Sequence, residues 1–550
     1  MDSEQSSTSS EAERPEEPNN LTPIRYNTYG LPPFSVPYSP PINCSWTHVV
    51  IEIRIACQGE QYDRIAAVWL NGAELVRTST AEPTKDGIFW KVRKDVTRYS
   101  SLLTQTNLNL SVMLENIVND VFTGVYQVNV TFLYYDKPVS SVSLLASETL
   151  MLNRKLKLVE NPVKLNENLD KGSWDLYEPA DLIIPISASG DDGFWFRIRN
   201  ESDVHTKGIR IPRRTYRALI EIYVSFHGND EFWYSNPPDS YIEINKLTTK
   251  RGHGAYREVL LTIDGNLVAS VVPFPVIFTG GINPLFWEPV VSIGAFDLPS
   301  YDLDLTPFLG MLLDGKIHHF GLSVADSISF WLVDANLHLW LDDSSQEVQA
   351  GMDYKAPSFN LERQFRFEGL DGSFEVETKR KSKISGWVSS RAGNFTTSIS
   401  QELKFKNSVK FSKHGTQKLV RQKVKEEREV MIQSNTGDMI SHRILKRKYP
   451  LKMTTENLPG KVNDTYLMIT EVENGMVEKK TIGNFSSTLR NQQQCRGWMF
   501  VKDHDVLSGS ANLRQTYLNA DSLGCYSRMV AAENGKIMNN TESFLCSSSS

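Results

Sequence analysis

A strand–turn segment that occurs twice constrains the fold of this 550-residue chain more than any other feature. In residues 51–64, isoleucines alternate with Glu52 and Arg54 until Gly59, so one face of the predicted strand is apolar and the other is polar. Residues 218–233 repeat the pattern: Ile51-Glu52-Ile53 matches Ile220-Glu221-Ile222, and Gly59 matches Gly228. The repeat predicts two similar β modules, with Asp63 following one copy of the strand and Glu231 following the other.

Further matched pieces follow in the same order in both halves. Asp95-Val96-Thr97 resembles Asp304-Leu305-Thr306, and Leu110-Ser111-Val112 matches Leu322-Ser323-Val324. Residues 108–114 and 126–134 alternate apolar and polar side chains, and Asn71-Gly72 is a favoured two-residue hairpin turn. No long segment with helical periodicity precedes residue 345. The pattern predicts an all-β fold in which two tandem β-sandwiches are followed by a β-rich C-terminal domain.

The length predicts about three domains, because a single core rarely serves so long a chain. We interpret residues 1–20 as a disordered tail, 21–43 as an extended lead-in, 44–200 as the first sandwich and 201–345 as the second. Beyond residue 345 the chain is richer in Lys, Ser and Thr, and residues 355–546 form the predicted third domain. The basic cluster at 404–428 lies beside several glutamates, which is typical of a solvated strand face, although an anionic partner is the alternative.

Composition excludes some classes of partner. The net charge of −6 argues against a nucleic-acid or membrane-surface protein, and no run of about 18 apolar residues predicts a membrane span. The sequence leaves the oligomeric state open.

Two features favour the secretory pathway, with an extracellular or vacuolar location. N-glycosylation sequons occur at nine positions: Asn20, Asn43, Asn109, Asn129, Asn200, Asn394, Asn463, Asn484 and Asn539. Five cysteines allow two bridges, for which Cys44–Cys57 and Cys495–Cys525 are the candidates, leaving Cys546. The first residues lack the features of a signal peptide, so we expect that such a segment is missing from this sequence.

The chain has no nucleophile elbow, zinc-protease motif, P-loop or dinucleotide fingerprint, and we expect no metal or cofactor. Carboxylates are the remaining candidates for catalytic groups. Arg64 can keep the neighbouring Asp63 ionised, Glu231 precedes three aromatic residues, and Glu115 follows a strand. Each of these acids could instead be structural.

Other residues could surround such acids. Asn116 and Asp120 belong to a polar cluster beyond Glu115, and Trp90, Trp233 and Trp287 could stack on sugar rings together with Phe122 and Tyr126. These side chains predict a carbohydrate cleft, although each tryptophan alone could be a core residue.

Several long motifs resemble those of the plant peptide N-glycanase A family. They are Cys44-Ser-Trp-Thr-His48, Gly59-Glu-Gln-Tyr-Asp-Arg64, Thr78-Ser-Thr-Ala-Glu-Pro83, Met113-Leu-Glu-Asn116, Asn119-Asp-Val-Phe-Thr-Gly-Val-Tyr126, Phe226-His-Gly-Asn-Asp-Glu-Phe-Trp-Tyr-Ser-Asn236 and Gly280-Gly-Ile-Asn-Pro-Leu-Phe-Trp-Glu-Pro289. The resemblance implies hydrolysis of the amide bond between an asparagine and its first N-acetylglucosamine, with an N-glycopeptide or glycoprotein as substrate.

A more distant resemblance is to the bacterial peptide N-glycanase F type, and it implies that the two tandem β-sandwiches are jelly-roll-like. It implies that Asp63, Glu231 and Glu115 are catalytic and that Arg64 assists, although Ile117 stands where the bacterial motif has a tryptophan. Asp63 would act as general base or orient the attacking water, while Glu231 and Glu115 bind water, the amide or sugar hydroxyls. A non-catalytic lectin-like sandwich and a two-carboxylate glycosidase are the alternative functions.

Overall fold

The structure is a computed structural model that describes residues 24–26, 32–42, 45–135, 178–354, 360–391, 393–502, 505–522 and 524–545. Within these ranges there are 28 β-strands and three short α-helices, α1 (Ser100–Leu103), α2 (Asp239–Ile244) and α3 (Leu309–Leu312). The predicted all-β class is confirmed. The predicted tail, residues 1–20, lies outside the described residues.

The first sandwich contains two four-stranded antiparallel sheets. Its strands are β1 (Ile24–Tyr26), β2 (Phe34–Tyr38), β3 (His48–Gln58), β4 (Ile65–Leu70), β5 (Ala73–Ser79), β6 (Ile88–Asp95), β7 (Leu108–Leu114) and β8 (Val125–Tyr135). Sheet A has the order β1-β8-β3-β6, and sheet B has the order β2-β7-β4-β5. The isoleucines of β3 pack against Val68 and Leu70 of β4 in one hydrophobic core, so the two sheets lie face to face.

The second sandwich follows the same plan. Its strands are β9 (Leu182–Ile186), β10 (Phe196–Ile198), β11 (His205–Ile209), β12 (Thr215–Phe226), β13 (Glu258–Ile263), β14 (Asn266–Val271), β15 (Ser300–Asp304), β16 (His318–Ala325) and β17 (Trp331–Leu341). Sheet C has the order β10-β17-β12-β15 with β9 paired to β17, and sheet D has the order β11-β16-β13-β14. The strands at 182–198 therefore belong to the second sandwich.

The strand orders of the two sandwiches are identical after a shift of nine strands. β3 corresponds to β12, β6 to β15 and β7 to β16, which are the strands that carry or end in the matched residues of the sequence repeat. Glu52 of β3 and Glu221 of β12 are both buried; Glu52 pairs with Arg54 and Arg93, and Glu221 pairs with Arg98. The internal repeat is therefore a structural duplication.

The third unit is a single large antiparallel sheet. Its strands are β18 (Gln349–Asp353), β19 (Glu362–Glu368), β20 (Asp371–Ser390), β21 (Gly393–Ser412), β22 (Gln417–Ser434), β23 (Met439–Pro459), β24 (Thr465–Ile482), β25 (Phe485–Lys502), β26 (Asp505–Asp521), β27 (Cys525–Glu533) and β28 (Lys536–Ser543). In sheet E, β20 to β28 pair in chain order, with β18 and β19 both paired to β20. One face carries the apolar residues and joins the core of the second sandwich.

Sheets B and C pack against each other and fix the two sandwiches in place. Trp69 on β4 donates a 2.7 Å hydrogen bond to Asp334 on β17, and Arg77 on β5 donates to the backbone oxygen of Leu332 at 2.7 Å. Arg77 is also paired with Glu74 at 2.6 Å, and both side chains are fully buried. Since these charges are desolvated, they tolerate little displacement of one sandwich against the other.

Both predicted disulfide pairings are wrong. Cys57 and Cys495 carry free, buried thiols. Cys525 is disulfide-bonded, but not to Cys495, and Cys44 lies outside the described residues. The side chain of Cys57 points into the core of the first sandwich and that of Cys495 into the core beneath sheet E, so both behave as small apolar residues. Among the described helices, none is long and apolar enough to cross a membrane.

Candidate active site

Three loops of the first sandwich meet at one end because of the strand pairing. All pairs in sheets A and B are antiparallel, so successive strands run in opposite directions and the β3–β4, β5–β6 and β7–β8 loops leave the same end. These loops carry Asp63, Glu82 and Glu115. In the second sandwich, the loops equivalent to β3–β4 and β5–β6 are β12–β13 and β14–β15, which carry Glu231 and Glu288.

Asp63 has more hydrogen-bond donors than the glutamates around it. It accepts from the backbone N–H of Gly280, lies within reach of the Thr279 hydroxyl and is attracted by Arg64. Burial among protein atoms raises its pKa, while these donors oppose the rise. Thr279 also donates to the backbone oxygen of Thr80 at 2.6 Å, which ties the β14–β15 loop to the first sandwich beside Asp63.

Glu82 lies against the same glycine as Asp63. A Cβ atom built on Gly280 would be 2.7 Å from Asp63 Oδ1 and 2.8 Å from Glu82 Oε2, so only glycine leaves both carboxyl groups their positions. The backbone N–H of Asp63 donates to Glu82, whereas Glu82 Oε2 is buried and has no hydrogen-bond partner among the described residues. Burial, followed by repulsion from Asp63, Glu288 and Glu231, raises the pKa of Glu82 to about 8.

Glu231 enters the cluster from the second sandwich. Burial and the charge of Asp63 raise the pKa of Glu231 to about 7, and Arg251 opposes the rise. The preceding residue, Asp230, anchors the loop: it is completely buried and pairs with Arg257 at 2.7 Å. The indole N–H of Trp331 also donates to Asp230, at 2.7 Å. The position of Glu231 therefore depends on a buried ion pair next to it.

Arg64 interacts electrostatically with both Asp63 and Glu115. Its guanidinium donates to Gln61 at 2.6 Å, and its backbone N–H donates to Thr80 at 2.8 Å. Burial raises the pKa of Glu115, while Arg197 and then Arg64 oppose the rise. The charge of Arg64 therefore acts on both Asp63 and Glu115, and the Glu115 carboxylate is attracted by two arginines.

The remaining predicted binding residues lie in different environments. Asn116 is buried and donates to the backbone oxygen of Gly124 at 3.0 Å, and Asp120 is exposed. Trp90 stacks on Phe296, with ring centroids 6.1 Å apart. Trp90, Trp233 and Trp287 are 9%, 0% and 3% exposed.

These exposures correct the prediction for the tryptophans. Their rings are packed among core side chains and offer no free face to a sugar in this structure. Tyr62, next to Asp63, is 51% exposed and contacts the ring of Phe122, with centroids 5.0 Å apart. This pair combines an accessible aromatic face with a position next to Asp63 in the chain.

Sequence reasoning missed four charged residues of the site: Glu82, Arg197, Arg251 and Glu288. Glu82 was within reach, because it directly follows the buried strand β5 in a motif of the family resemblance. Glu288 could have been found by extending the repeat, since it occupies the loop equivalent to that of Glu82. No local pattern marks Arg197 or Arg251, which approach Glu115 and Glu231 only through the tertiary fold.

We predict that the stability of the protein falls as pH rises from about 6.5 to 8. In the folded state Glu231 and Glu82 hold protons up to about pH 7 and 8, whereas unfolded glutamates release theirs near pH 4.5. The folded state therefore binds more protons in this window, and deprotonation favours unfolding as pH rises. The buried His227 acts in the opposite sense below pH 6.5, because its pKa is lowered to about 3.

The measurement is the urea unfolding free energy at several pH values. Glu82→Gln should flatten the slope between pH 6.5 and 8, whereas the exposed Glu60→Gln should not. A slope that is the same in all three proteins would contradict the protonated state of Glu82.

Comparison with known families identifies two matching sequence profiles. The sequence profile of the family described as peptide N-acetyl-β-D-glucosaminyl asparaginase amidase A matches residues 22–357. The chain belongs to this amidase A family. A second profile, the C-terminal domain of the family, matches residues 373–451. The amidase A match thus spans both sandwiches and all the acids described above, and the second match covers the first strands of sheet E.

A curated relative from Prunus dulcis, peptide-N4-(N-acetyl-β-glucosaminyl)asparagine amidase A, is 41% identical to the chain over 521 residues. The alignment covers 93% of this chain and 86% of the relative. Amidase A membership therefore extends through the C-terminal sheet.

Solved structures give weaker matches. PNGase F, a glycosylasparaginase from Flavobacterium meningosepticum, is 13% identical with a TM-score of 0.33, covering 59% of this chain and 96% of that one. PNGF-II is 11% identical with a TM-score of 0.34, covering 58% of this chain and 65% of that one. These scores are too low to transfer individual residues.

Proposed function

We propose that the protein is a peptide N-glycanase that hydrolyses the amide bond between asparagine and the first N-acetylglucosamine of an N-glycan. The products are an aspartate-containing peptide and a glycosylamine. One observation carries the proposal: in a member of the amidase A family, equivalent loops of two duplicated sandwiches bring Asp63 and Glu231 close enough for their charges to interact.

Asp63 is the proposed general base. An amide is a poor electrophile, so the attacking water must be held and deprotonated while the carbonyl oxygen is polarised. The raised pKa of Asp63 makes it a stronger base than an exposed aspartate, and Arg64 with the Gly280 N–H favours its ionised form. Arg64 is the cation nearest to Asp63 in sequence and can approach the developing oxyanion.

Glu231 and Glu115 are the proposed binding acids. Glu231 approaches Asp63 from the other sandwich and can hold the water, the amide or a sugar hydroxyl. Glu115 interacts with the charge of Arg64 and is proposed to bind another hydroxyl, with Asn116 and Asp120 in its loop. The exposed ring of Tyr62, supported by Phe122, is the proposed sugar-stacking surface.

The decisive test is mass spectrometry of one glycopeptide after incubation with the protein. We expect release of the whole glycan and a peptide heavier by about one dalton than the asparagine form, since NH₂ is replaced by OH. A peptide that retains one N-acetylglucosamine would identify a glycosidase. Glycan binding without any product would identify a lectin.

We also propose that the protein functions in the secretory pathway, in an extracellular or vacuolar location. The sequon asparagines that the structure describes support this, because each is exposed or half-exposed: Asn109, Asn129, Asn200, Asn394, Asn463, Asn484 and Asn539. Glycan transfer requires accessible asparagines, and a chain without such exposure would argue against this compartment.

The strand orders further support the proposal that each sandwich is a jelly roll. The orders 1-8-3-6 and 2-7-4-5 result when a long antiparallel ribbon wraps into two sheets. This winding gathers alternate loops at one end, which is where the proposed active site lies.

A further inference from the structure

Amide hydrolysis needs a proton donor as well as a base. When the C–N bond breaks, the nitrogen would leave as a strongly basic anion unless it receives a proton. Asp63 accepts a proton from water in the proposed function and is surrounded by donors that favour its ionised form. A second group with the opposite preference is therefore required near Asp63.

We propose that Glu82 is this second catalytic group and that it donates a proton to the amide nitrogen as the glycosylamine leaves. The inference rests on the proposed amidase function and adds a residue that neither the sequence motifs nor the resemblance assigned. Glu82 and Asp63 would thus form an acid–base pair.

The position of Glu82 supports this role. The carboxyl groups of Glu82 and Asp63 both contact the Cα side of Gly280, so one substrate amide can reach both of them. The Asp63 backbone N–H holds one end of the Glu82 carboxyl group. The other oxygen, Oε2, is shielded from solvent and has no protein partner among the described residues, which leaves it available to a ligand.

The charges around Glu82 favour its protonated form. The groups that act on it most strongly are Asp63, Glu288 and Glu231, all of them carboxylates, together with burial. The positive charge of Arg64 lowers the pKa of Asp63, and that of Arg251 lowers the pKa of Glu231. The two arginines therefore stabilise the ionised forms of these other two acids. Two adjacent carboxyl groups in environments that separate their proton affinities are a recurring arrangement for an acid and a base.

The duplication accounts for the repulsion that Glu82 experiences. Glu82 and Glu288 occupy equivalent loops, β5–β6 and β14–β15, just as Asp63 and Glu231 do. Each sandwich thus contributes two acids to one cluster of interacting charges. Four neighbouring carboxylates cannot all be ionised without a large energetic cost, and Glu82 is repelled by the other three.

The proposed step balances as follows. Water adds to the side-chain carbonyl carbon and gives one proton to Asp63. The C–N bond then breaks, its electron pair goes to nitrogen, and nitrogen takes the proton of Glu82. The products are a carboxylic acid on the peptide and a neutral glycosylamine, and transfer of the Asp63 proton to Glu82 restores the starting state.

The test compares Glu82→Gln with the unmodified protein on two synthetic substrates. One is an N-glycopeptide, and the other is the same peptide with an ester oxygen in place of the amide nitrogen. Since an alkoxide at the anomeric carbon is a much better leaving group than an amide anion, its departure needs little protonation. We expect kcat on the amide to fall roughly 100-fold and kcat on the ester to fall less than about 10-fold.

The pH profile gives an independent readout. Because the acid must carry its proton, amide kcat of the unmodified protein should decline as pH rises through about 8. Glu82→Gln should abolish this decline. Equal losses on amide and ester, no loss on either, or an unchanged alkaline decline would each overturn the role of Glu82.

Two controls separate this inference from the proposed function. Glu60→Gln, on the same side of the first sandwich but exposed and paired with Lys85 at 3.0 Å, should leave both activities unchanged. If the unmodified protein releases no glycan, the proposed function fails. If it does and Glu82→Gln matches it on the amide, only the role of Glu82 fails.

Discussion

Replacing Asp63 with Asn is expected to lower kcat for glycan release roughly 10,000-fold, the upper end of the usual effect of acid–base catalysis. Asparagine keeps the shape of the side chain but cannot accept a proton from water. Its amide group can still face the Gly280 N–H and Arg64, so we expect the fold and substrate binding to persist. The measurement is single-turnover release of glycan from a glycopeptide.

The control for Asp63→Asn is again Glu60→Gln, which removes a carboxylate from the same loop without touching the cleft. The ester substrate adds a second comparison, because Asp63→Asn should lose activity on both substrates whereas Glu82→Gln loses activity chiefly on the amide. Near-normal glycan release by Asp63→Asn would remove Asp63 from the mechanism.

Replacing Asp230 with Asn is expected to have the largest effect on stability, a loss of about 3–5 kcal/mol of unfolding free energy. The substitution leaves the buried Arg257 guanidinium without a counter-charge. It also weakens acceptance from the Trp331 indole and from the Ile328 backbone N–H, which lie 2.7 and 2.9 Å from Asp230 Oδ2. Urea unfolding, followed by tryptophan fluorescence, measures the change.

An exposed ion pair offers the matched control for Asp230→Asn. Asp343 pairs with Arg214 at 2.8 Å, but Asp343 is 89% exposed, so Asp343→Asn should leave the unfolding free energy nearly unchanged. Equal effects of the two substitutions would show that burial of the Asp230 pair is unimportant. We also expect Asp230→Asn to reduce glycan release at temperatures where it remains folded, since the loop of Glu231 depends on this anchor.

The duplication was the part of the fold that the sequence predicted best, because alternating strands and matched turns can be recognised in short segments of sequence. Pairing β3 with β12 from the Ile-Glu-Ile motifs placed Asp63 and Glu231 in equivalent loops, and the structure has that arrangement. The third unit was predicted only as β-rich. Its strands of about 20 residues exceed the usual strand length, so short-range patterns gave no reason to expect one continuous sheet.

Prediction failed where a residue's environment depends on distant parts of the chain. Trp233 is adjacent to a polar loop in sequence, yet its ring packs against Phe226 and Trp331 in the core. Cys57 was paired with a near neighbour, although its side chain points inward from β3. The position of Glu82 after β5 could be read from the sequence, but its charge interactions with Glu231 and Glu288 could not, because these acids belong to the other sandwich.

The packing of sheet B on sheet C has a consequence for symmetry. In the duplication, sheet C corresponds to sheet A, so the two sandwiches associate head to tail through unlike faces. A contact of this kind is heterologous. It leaves sheet D, the counterpart of sheet B in the second sandwich, without a sandwich partner, so that further sandwiches could be added in the same way without limit. Sheet E covers sheet D, with Arg380 bound to Glu258 of β13 and to Ser270 of β14. The C-terminal sheet therefore occupies the face to which a further sandwich could otherwise bind.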